Sequence, residues 1–475
     1  MRINAETVWE AIPKTPVCFL GWGLVSVWSN VMYLHPAVLF PGLSGASRSA
    51  FDLVLVGAMV LIAVITRCHQ GFAPLIGQRW AMPAALTMLL LCTAINFQAA
   101  VSGFAPAALT WTALLVGGVG TALMMLLASE FFGFIHPKRT ILYMASGWLV
   151  GAISAAFLRV LPLPYLWMCM MAVPVVTTLC IWRAYKTLSV SELTFMTSRR
   201  FSFPWLPLVP IALCAVVKRW LNALVVVAVD PEVVNDAGMV VAALVVLGGL
   251  ARYGGNLNTR SLWKLGVGLM SCSVALFVVA SYGNSAVAGS AAALASSSAY
   301  YILFLLMTAI FANISYRWGV CALWLFSIEH ASHLLAGTGA MVGMEWLMGT
   351  GGVPDVVLDA SFVLLALLSM AVVALLFRCY SPDSLWGLSM GDESSFGESE
   401  RVHRVCESLI EEHALTPREG EILFMSMQGK RPAEIANELF IEVSTTRTHI
   451  KHIYTKLDIH SRSELLEIVG KPVAM

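Results

Sequence analysis

Apolar segments of about 20 residues recur along the first 378 positions of this 475-residue chain. Each segment is long enough to cross a bilayer as a helix, and lipid leaves the backbone few other ways to satisfy its hydrogen bonds. Composition agrees, because 58% of the residues are hydrophobic and 12% are charged, far from a soluble average. The sequence therefore predicts an all-α, polytopic membrane protein over residues 1–378.

Twelve of these segments are predicted to span the membrane, in two halves of six at about 17–184 and 205–377. They lie near residues 17–36, 50–66, 80–98, 108–128, 139–158, 163–184, 205–229, 236–251, 262–282, 295–314, 320–343 and 356–377. The eighth is the shortest. The longest basic loop, Arg183 to Arg200, separates the halves. This layout resembles the two-halved architecture of major facilitator transporters, and it implies their fold rather than transport.

Basic residues are distributed unequally between the two sets of connecting loops. One set holds 15 Lys and Arg residues, whereas the other holds Arg48 and Arg159. The 15 are Arg2, Lys14, Arg67, Arg79, Lys138, Arg139, Arg183, Lys186, Arg199, Arg200, Arg252, Arg260, Lys264, Arg317 and Arg378. The set of loops with few basic residues also contains the acidic residues Asp230, Glu232 and Asp236. Because cytoplasmic loops collect Lys and Arg, we expect both termini to be cytoplasmic.

The composition changes after the last apolar segment. Residues 379–413 begin with a small, polar and acidic stretch, which is typical of a linker. Within this stretch, apolar residues at helical spacing over 402–413 predict a short lead-in helix. A separate domain is predicted over 414–475.

Capping residues and apolar spacing predict four helices in this tail. Thr416, Pro417 and Glu419 form a helix start, with a cap, a proline at the first helical position and an acid three residues after the cap. Gly429 ends that helix. A second helix is predicted over 432–439, a third over 443–457 and a fourth over 461–469, with a turn at 440–441 between the second and third.

Residues along these helices also form an ordered set with unbroken spacing. The set is Leu415-Thr416-x-Arg418-Glu419, Glu434-Ile435-Ala436-x-x-Leu439-x-Ile441, Ser444-Thr445-x-Arg447-x-His449 and Ile453-Tyr454-x-Lys456-Leu457-x-Ile459-x-Ser461-Arg462-x-Glu464-Leu465. It resembles the LuxR-type helix-turn-helix domain. The whole chain resembles bacterial membrane-bound regulators that join a twelve-span module to this domain. The resemblance implies a DNA partner, pairing of two domains through the fourth helix, and location in the bacterial cytoplasmic membrane.

The third helix is the one that a helix-turn-helix protein places in the major groove. Arg447 and Lys451 are four residues apart and share a face with Thr448, so these three are predicted to contact bases. Contacts to the DNA backbone are predicted for His449, Thr445, His452 and Lys456. For His449, a role in helix packing or capping is left open as an alternative. Tyr454 is predicted to join the core.

The domain's charge limits how tightly it can hold DNA by itself. Residues 401–475 carry ten Lys or Arg against eleven Asp or Glu, and Glu442 stands where this family usually has a capping Ser or Thr. Phosphate attraction supplies most nonspecific DNA affinity. We therefore expect weak nonspecific binding, with specificity that depends on pairing of the domains and on tethering.

Ionisable residues within apolar spans are costly and are therefore candidates for function. The seventh span contains Lys218, Arg219 and Asn222, and the eleventh contains Glu329 and His330. One hypothesis is a cavity between the halves that binds a small anionic or amphipathic molecule. The other is an internal ion pair of Lys218 or Arg219 with Glu329. A metal site at His330 and His333 is not predicted, because its third ligand would have to be Glu329 or an unidentified residue. No cofactor is predicted.

Two functions remain after these observations. The leading one is a one-component regulator whose membrane module senses a small molecule and controls DNA binding by the tail. The alternative is a transporter that carries a regulatory DNA-binding tail. An enzyme is not predicted, because the sequence has no Gly-rich phosphate loop, no nucleophile with an ordered base and no clustered carboxylates.

Overall fold

The computed structural model confirms an all-α chain, since every regular element among the described residues is helical. The chain divides into two compact units, residues 1–388 and 389–475. The described residues are 20–34, 46–69, 72–103, 106–135, 137–187, 205, 208–224, 231–252, 259–283, 285–318, 320–349, 412–427, 430–460, 464–465 and single positions between 360 and 410.

Eleven long helices make up the described part of the first unit. They are α1 (Gly21–Leu34), α2 (Ala46–Cys68), α3 (Ala81–Ser102), α4 (Ala107–Phe132), α5 (Pro137–Arg159), α6 (Leu163–Tyr185), α7 (Leu208–Leu224), α8 (Pro231–Arg252), α9 (Thr259–Gly283), α10 (Ala286–Trp318) and α11 (Ala322–Gly349). In order and position they coincide with the first eleven predicted spans. The twelfth, near 356–377, falls largely outside the described residues, so the count of twelve stays a prediction.

Eight of the described helices, α2 to α6 and α8 to α10, are long and apolar enough to cross a membrane. Helices α1 and α7 have only 14 and 17 described residues, and four ionisable side chains lower the hydropathy of α11. Two predicted spans were too short, because α8 already begins at Pro231 and α10 at Ala286. The hydropathy pattern does not include these helical turns, because α8 starts with a charged residue and the start of α10 is rich in Ala and Ser.

The two halves of this unit meet through a few helix pairs. Helix α2 packs against α11, α5 packs against α8 and α10, and α4 packs against α11. At one end of the α5–α8 contact, Arg159 Nη2 lies 2.8 Å from Asp236 Oδ2, and the carboxylate is buried. Asp236, which the sequence had placed in a loop, is therefore part of a helix and joins the halves. The arrangement confirms the predicted two-halved membrane bundle.

Glycines bring α1 and α5 into backbone contact. A Cβ atom added to Gly23 would lie 1.8 Å from the carbonyl oxygen of Gly147, and one added to Gly151 would lie 2.8 Å from that of Gly23. Gly147 and Gly151 form a small-xxx-small pair, the pattern by which membrane helices approach closely. Close packing of these two backbones requires glycine at position 23.

A buried carboxylate holds the connection between α2 and α3. The backbone N–H of Leu75 donates to Glu130 of α4 at 3.0 Å, and that of Ile76 at 3.4 Å. The hydroxyl of Tyr185, from α6, is also within 3.4 Å of this carboxylate. Hydrogen bonds of this kind offset the cost of burying a charge. One side chain therefore ties α4 and α6 to the turn that follows α2.

The second unit has three described helices around a small core of its own. They are α12 (Pro417–Met427), α13 (Pro432–Glu438) and α14 (Val443–Lys456). Thr416 and Glu419 cap α12 as predicted, with the N–H of Thr416 donating to the Glu419 carboxylate at 2.8 Å. Ile422, Leu423 and Ile435 are fully buried. Of the predicted fourth helix, only residues 464 and 465 are described, and both are helical.

Candidate functional site

The exposed face of α14 is the candidate nucleic-acid interface. Arg447, Thr448 and Lys451 are exposed, whereas Thr446 and Ile453 on the opposite side are buried. Of the predicted backbone-contacting residues, Thr445 and His452 are also exposed and His449 is half-buried. Tyr454 packs against the core, as predicted. A helix with a basic and hydroxylic outer face is suited to the major groove.

The turn between α13 and α14 sets the direction of this helix. Phe440 lies at the turn with a φ of 52° and is 95% exposed, a left-handed conformation that is uncommon for a residue with a side chain. The guanidinium of Arg418, from α12, donates to the carbonyl oxygen of Leu439 at 2.8 Å. A cation at the end of α13 also complements the helix dipole there. Arg418 therefore fixes the turn from which α14 starts.

Glu442 precedes α14 as the sequence indicated, but its side chain does not cap the helix. Its carboxylate instead accepts a hydrogen bond from the hydroxyl of Ser444 at 3.0 Å. The backbone N–H of Thr446 donates to the carbonyl oxygen of Glu442 at 3.0 Å. An acid at this end still has a favourable interaction with the helix dipole.

The far end of α14 is attached to α12. The Lys456 ammonium lies 2.8 Å from the carboxylate of Glu419, which is buried, and donates to the carbonyl oxygen of Ala414 at 3.2 Å. These bonds engage Lys456 within the domain. We therefore leave it out of the DNA-contacting set proposed below, although the sequence placed it there.

The Lys456–Glu419 pair predicts an acid-sensitive domain. Lys456, followed by hydrogen bonds from Thr416, lowers the pKa of Glu419 from 4.5 to about 2. A depressed carboxyl pKa contributes stability that is present above pH 4.5 and lost as the pH falls towards 2. Because Lys456 is itself one-third exposed, the contribution is at most about 3 kcal/mol. In fragment 389–475, Glu419→Gln should lower the free energy of unfolding at pH 7 and flatten its dependence on pH in this range, as measured by urea denaturation.

Glu421 provides a matched control on the same helix. Its carboxylate lies 2.7 Å from Arg418, but both side chains are exposed, and exposed pairs contribute little. Glu421→Gln should therefore leave the urea midpoint nearly unchanged. Equal effects of the two substitutions would show that the Lys456–Glu419 pair has no special role.

The membrane unit contains a buried polar centre on α11. Glu329 and His330 are fully buried, His333 is nearly so, and the Glu329 carboxylate is in contact with Nδ1 of His330. His330 Nε2 lies 2.7 Å from the hydroxyl of Ser129, on α4. His333 Nδ1 lies 2.9 Å from the hydroxyl of Tyr300, on α10. The centre therefore connects helices of both halves.

The basic residues of α7 lie near this centre but have their own partners. Lys218 donates to Asn235 of α8 at 2.6 Å, and its ammonium lies 4.5 Å from the ring centre of Tyr300. Arg219 lies 3.4 Å from Asp52 of α2, so it pairs with Asp52 rather than with Glu329. Asn222 has a buried side-chain oxygen that no described residue hydrogen-bonds. Tyr300 thus contacts both Lys218 and His333.

Several residues of this centre were missed by sequence reasoning. Asp52 lies inside the second predicted span and was a detectable signal, because an acid within a span is rare. Ser129, Asn235 and Tyr300 have no such signal, since neutral polar residues are common in membrane helices. Their roles depend on which helices meet, and the sequence does not give that.

Comparison with known proteins identifies the C-terminal domain. Residues 413–469 match the family described as bacterial regulatory proteins, luxR family. The chain is 41% identical over 64 residues to the transcriptional regulatory protein LiaR of Bacillus subtilis. It is 45% identical over 57 residues to the oxygen regulatory protein NreC of Staphylococcus haemolyticus. These matches cover 14% and 12% of the chain, and 30% and 26% of the two relatives, so they concern this domain alone.

Solved structures resemble the membrane unit in fold. An outward-facing bacterial homologue of the iron transporter ferroportin superposes with a TM-score of 0.53 at 13% identity, covering 80% of this chain and 100% of that one. The Escherichia coli fucose:proton symporter FucP gives 0.50 at 13% identity, covering 78% and 98%. The chain thus joins a DNA-binding domain of the LuxR type to a membrane module with the fold of major facilitator transporters.

Proposed function

We propose that this protein is a membrane-bound one-component transcriptional regulator, in which the membrane module senses a small molecule and controls DNA binding by the tail. The observation that carries the proposal is the presence, in one chain, of a helix, α14, with an exposed basic face and of a polar centre shared by the two membrane halves. Five residues of α14 form the proposed DNA-contacting set: Arg447, Thr448, Lys451, Thr445 and His452. His449 lies at its edge.

Loop charges support the proposed location. The excess of Lys and Arg in one set of loops, 15 against 2, favours a bacterial inner membrane location with both termini on the cytoplasmic side. A tail on that side has access to promoter DNA. The tail's near-neutral charge favours a mode of action in which two domains pair on DNA, and residues 461–469 are the proposed pairing helix.

The ligand site is proposed around Lys218, Arg219, Asn222, Glu329 and His330. Contacts from Arg219 to Asp52 and from His330 to Ser129 each join a helix of one half to a helix of the other. A ligand that competes for these groups would bind one arrangement of the halves better than another. A ligand shifts such an equilibrium only through this difference in affinity. The tail would respond through a change in how two domains are presented to DNA.

Lys218 gives the test of sensing. Target promoters are first identified by chromatin immunoprecipitation of the tagged full-length protein, and a reporter is then placed behind one of them. Lys218→Ala should abolish the response of the reporter to conditions that switch the wild type, because the variant lacks the ammonium group that contacts Asn235 and Tyr300. Promoter binding by fragment 389–475 serves as the control, since that fragment lacks the membrane unit. A reporter that responds normally in Lys218→Ala would remove this residue from the sensing site.

A transporter with a regulatory tail is the second candidate, and the fold of the membrane unit favours it. Purified protein in liposomes separates the two functions. Accumulation of a compound that also switches the reporter would support transport, whereas saturable binding of that compound without accumulation would support a sensor.

A further inference from the structure

Three metal-ligating side chains lie together on α11. Glu329, His330 and His333 are all buried, and one ligand atom of each lies within 4.8 Å of the other two. Glu329 and His333 are one helical turn apart and therefore share a face. We propose that these three residues bind a divalent first-row transition-metal ion, with Zn²⁺ as the simplest case.

The atoms that would bind such an ion have no hydrogen-bond partner among the residues that the structure describes. They are both carboxylate oxygens of Glu329, Nδ1 of His330 and Nε2 of His333. Glu329 touches His330 Nδ1, but the two groups lack the geometry of a hydrogen bond. A carboxylate removed from water without compensation is costly. A cation held by these atoms would compensate for that burial.

Each histidine is also held by its other ring nitrogen. Ser129 bonds Nε2 of His330 at 2.7 Å, and Tyr300 bonds Nδ1 of His333 at 2.9 Å. Metal-binding histidines commonly use one nitrogen for the ion and the other for a partner that fixes the ring. The two nitrogens left without partners are therefore the two that the proposal needs.

The donor set selects the class of ion. Two imidazoles and one carboxylate are typical of zinc and non-haem iron sites, whereas Ca²⁺ and Mg²⁺ prefer oxygen ligands alone. With bonds of about 2.1 Å at tetrahedral angles, the ligand atoms of one ion lie about 3.4 Å apart. The three ligand atoms lie within 4.8 Å of one another, so binding requires the more distant ones to approach by up to about 1.4 Å and the contacting atoms of Glu329 and His330 to separate. Three protein ligands leave a position open to water or to a donor atom of another molecule. Use of that position for signalling rests on the proposed function, but metal binding does not.

Metal titration of the full-length protein tests the proposal. Protein purified in detergent and stripped with a chelator is titrated with Zn²⁺ by calorimetry and with Co²⁺ by visible absorption. We expect one ion per chain. Glu329→Gln and His333→Gln should each weaken binding at least about 100-fold, and Tyr300→Phe, which removes only the supporting hydroxyl, about 10- to 100-fold.

His69 serves as the control, because it is exposed beyond the end of α2; His69→Ala should bind Zn²⁺ like the wild type. Size-exclusion profiles establish that each variant is folded. Absence of Zn²⁺ binding by the wild type overturns the proposal without use of any variant, and so does full binding by both folded ligand variants. If the protein binds Zn²⁺ but promoter output is insensitive to Glu329→Gln, the metal site stands and its part in sensing fails.

Discussion

Arg447→Ala should lower the affinity of fragment 389–475 for its promoter by about 1 to 3 kcal/mol, or roughly 5- to 150-fold. Arg447 is exposed on α14, one turn from Lys451 and on the side opposite the buried Ile453. An arginine in this place can bridge the two acceptors of a guanine edge, and its loss leaves them without that partner. Fluorescence anisotropy measures the affinity for the promoter duplex and for a scrambled duplex, and the difference gives the sequence-specific part of the binding free energy.

Two comparisons separate base recognition from general attraction. Arg447→Lys keeps the charge but loses the two-pronged hydrogen bond, so specificity should still fall. Thr455→Ala, at the other end of the exposed face, should change affinity little. Neither substitution alters the core, and circular dichroism should report unchanged helicity. A wild-type footprint for Arg447→Ala would mean that α14 is not the helix that reads the bases.

Gly23→Ala should prevent α1 and α5 from packing as they do, with a loss of several kcal/mol in stability, beyond the roughly 1 to 3 typical of overpacking. The added methyl group would lie 1.8 Å from the carbonyl oxygen of Gly147, which is backbone and cannot rotate away. The expected result is a strongly reduced yield of monodisperse full-length protein in detergent. What remains should have a lower melting temperature.

Gly57→Ala is the matched control, because it makes the same change in a membrane helix where, beyond the neighbouring backbone of that helix, no described atom lies within 4 Å of the new methyl group. It should behave like the wild type or melt slightly higher, since alanine favours helix over glycine. Equal behaviour of Gly23→Ala and Gly57→Ala would contradict the close approach of α1 and α5.

Apolar length was enough to predict most of the described membrane fold. The described helices follow the first eleven predicted spans because lipid allows the backbone few alternatives. The start of α10 could not be predicted, because hydropathy averages undervalue alanine and serine even where they pack tightly between helices. Asp236 was misplaced for a related reason, since its charge is compensated by Arg159, a partner remote in sequence.

The C-terminal domain was predictable in finer detail than the polar centre. Local signals set its helix starts, and Thr416 and Glu419 cap α12 as their spacing indicated. The role of Lys456 was not predictable, since its partner Glu419 belongs to another helix. In the membrane, the ionisable residues of α7 and α11 were identifiable by their rarity, but the pairing of Arg219 with Asp52 depends on tertiary contacts.

The Glu130 carboxylate limits how the helices of the first membrane half can move relative to one another. Because it bonds the turn after α2 and also contacts Tyr185 of α6, displacement of α4 would carry both neighbours with it. The first half, α1 to α6, should therefore tilt as a rigid body, without movement of its helices relative to one another. Displacement would then be greatest where the two halves slide past each other, along α2–α11 and α5–α8. Distances between spin labels placed across those helix pairs would report it.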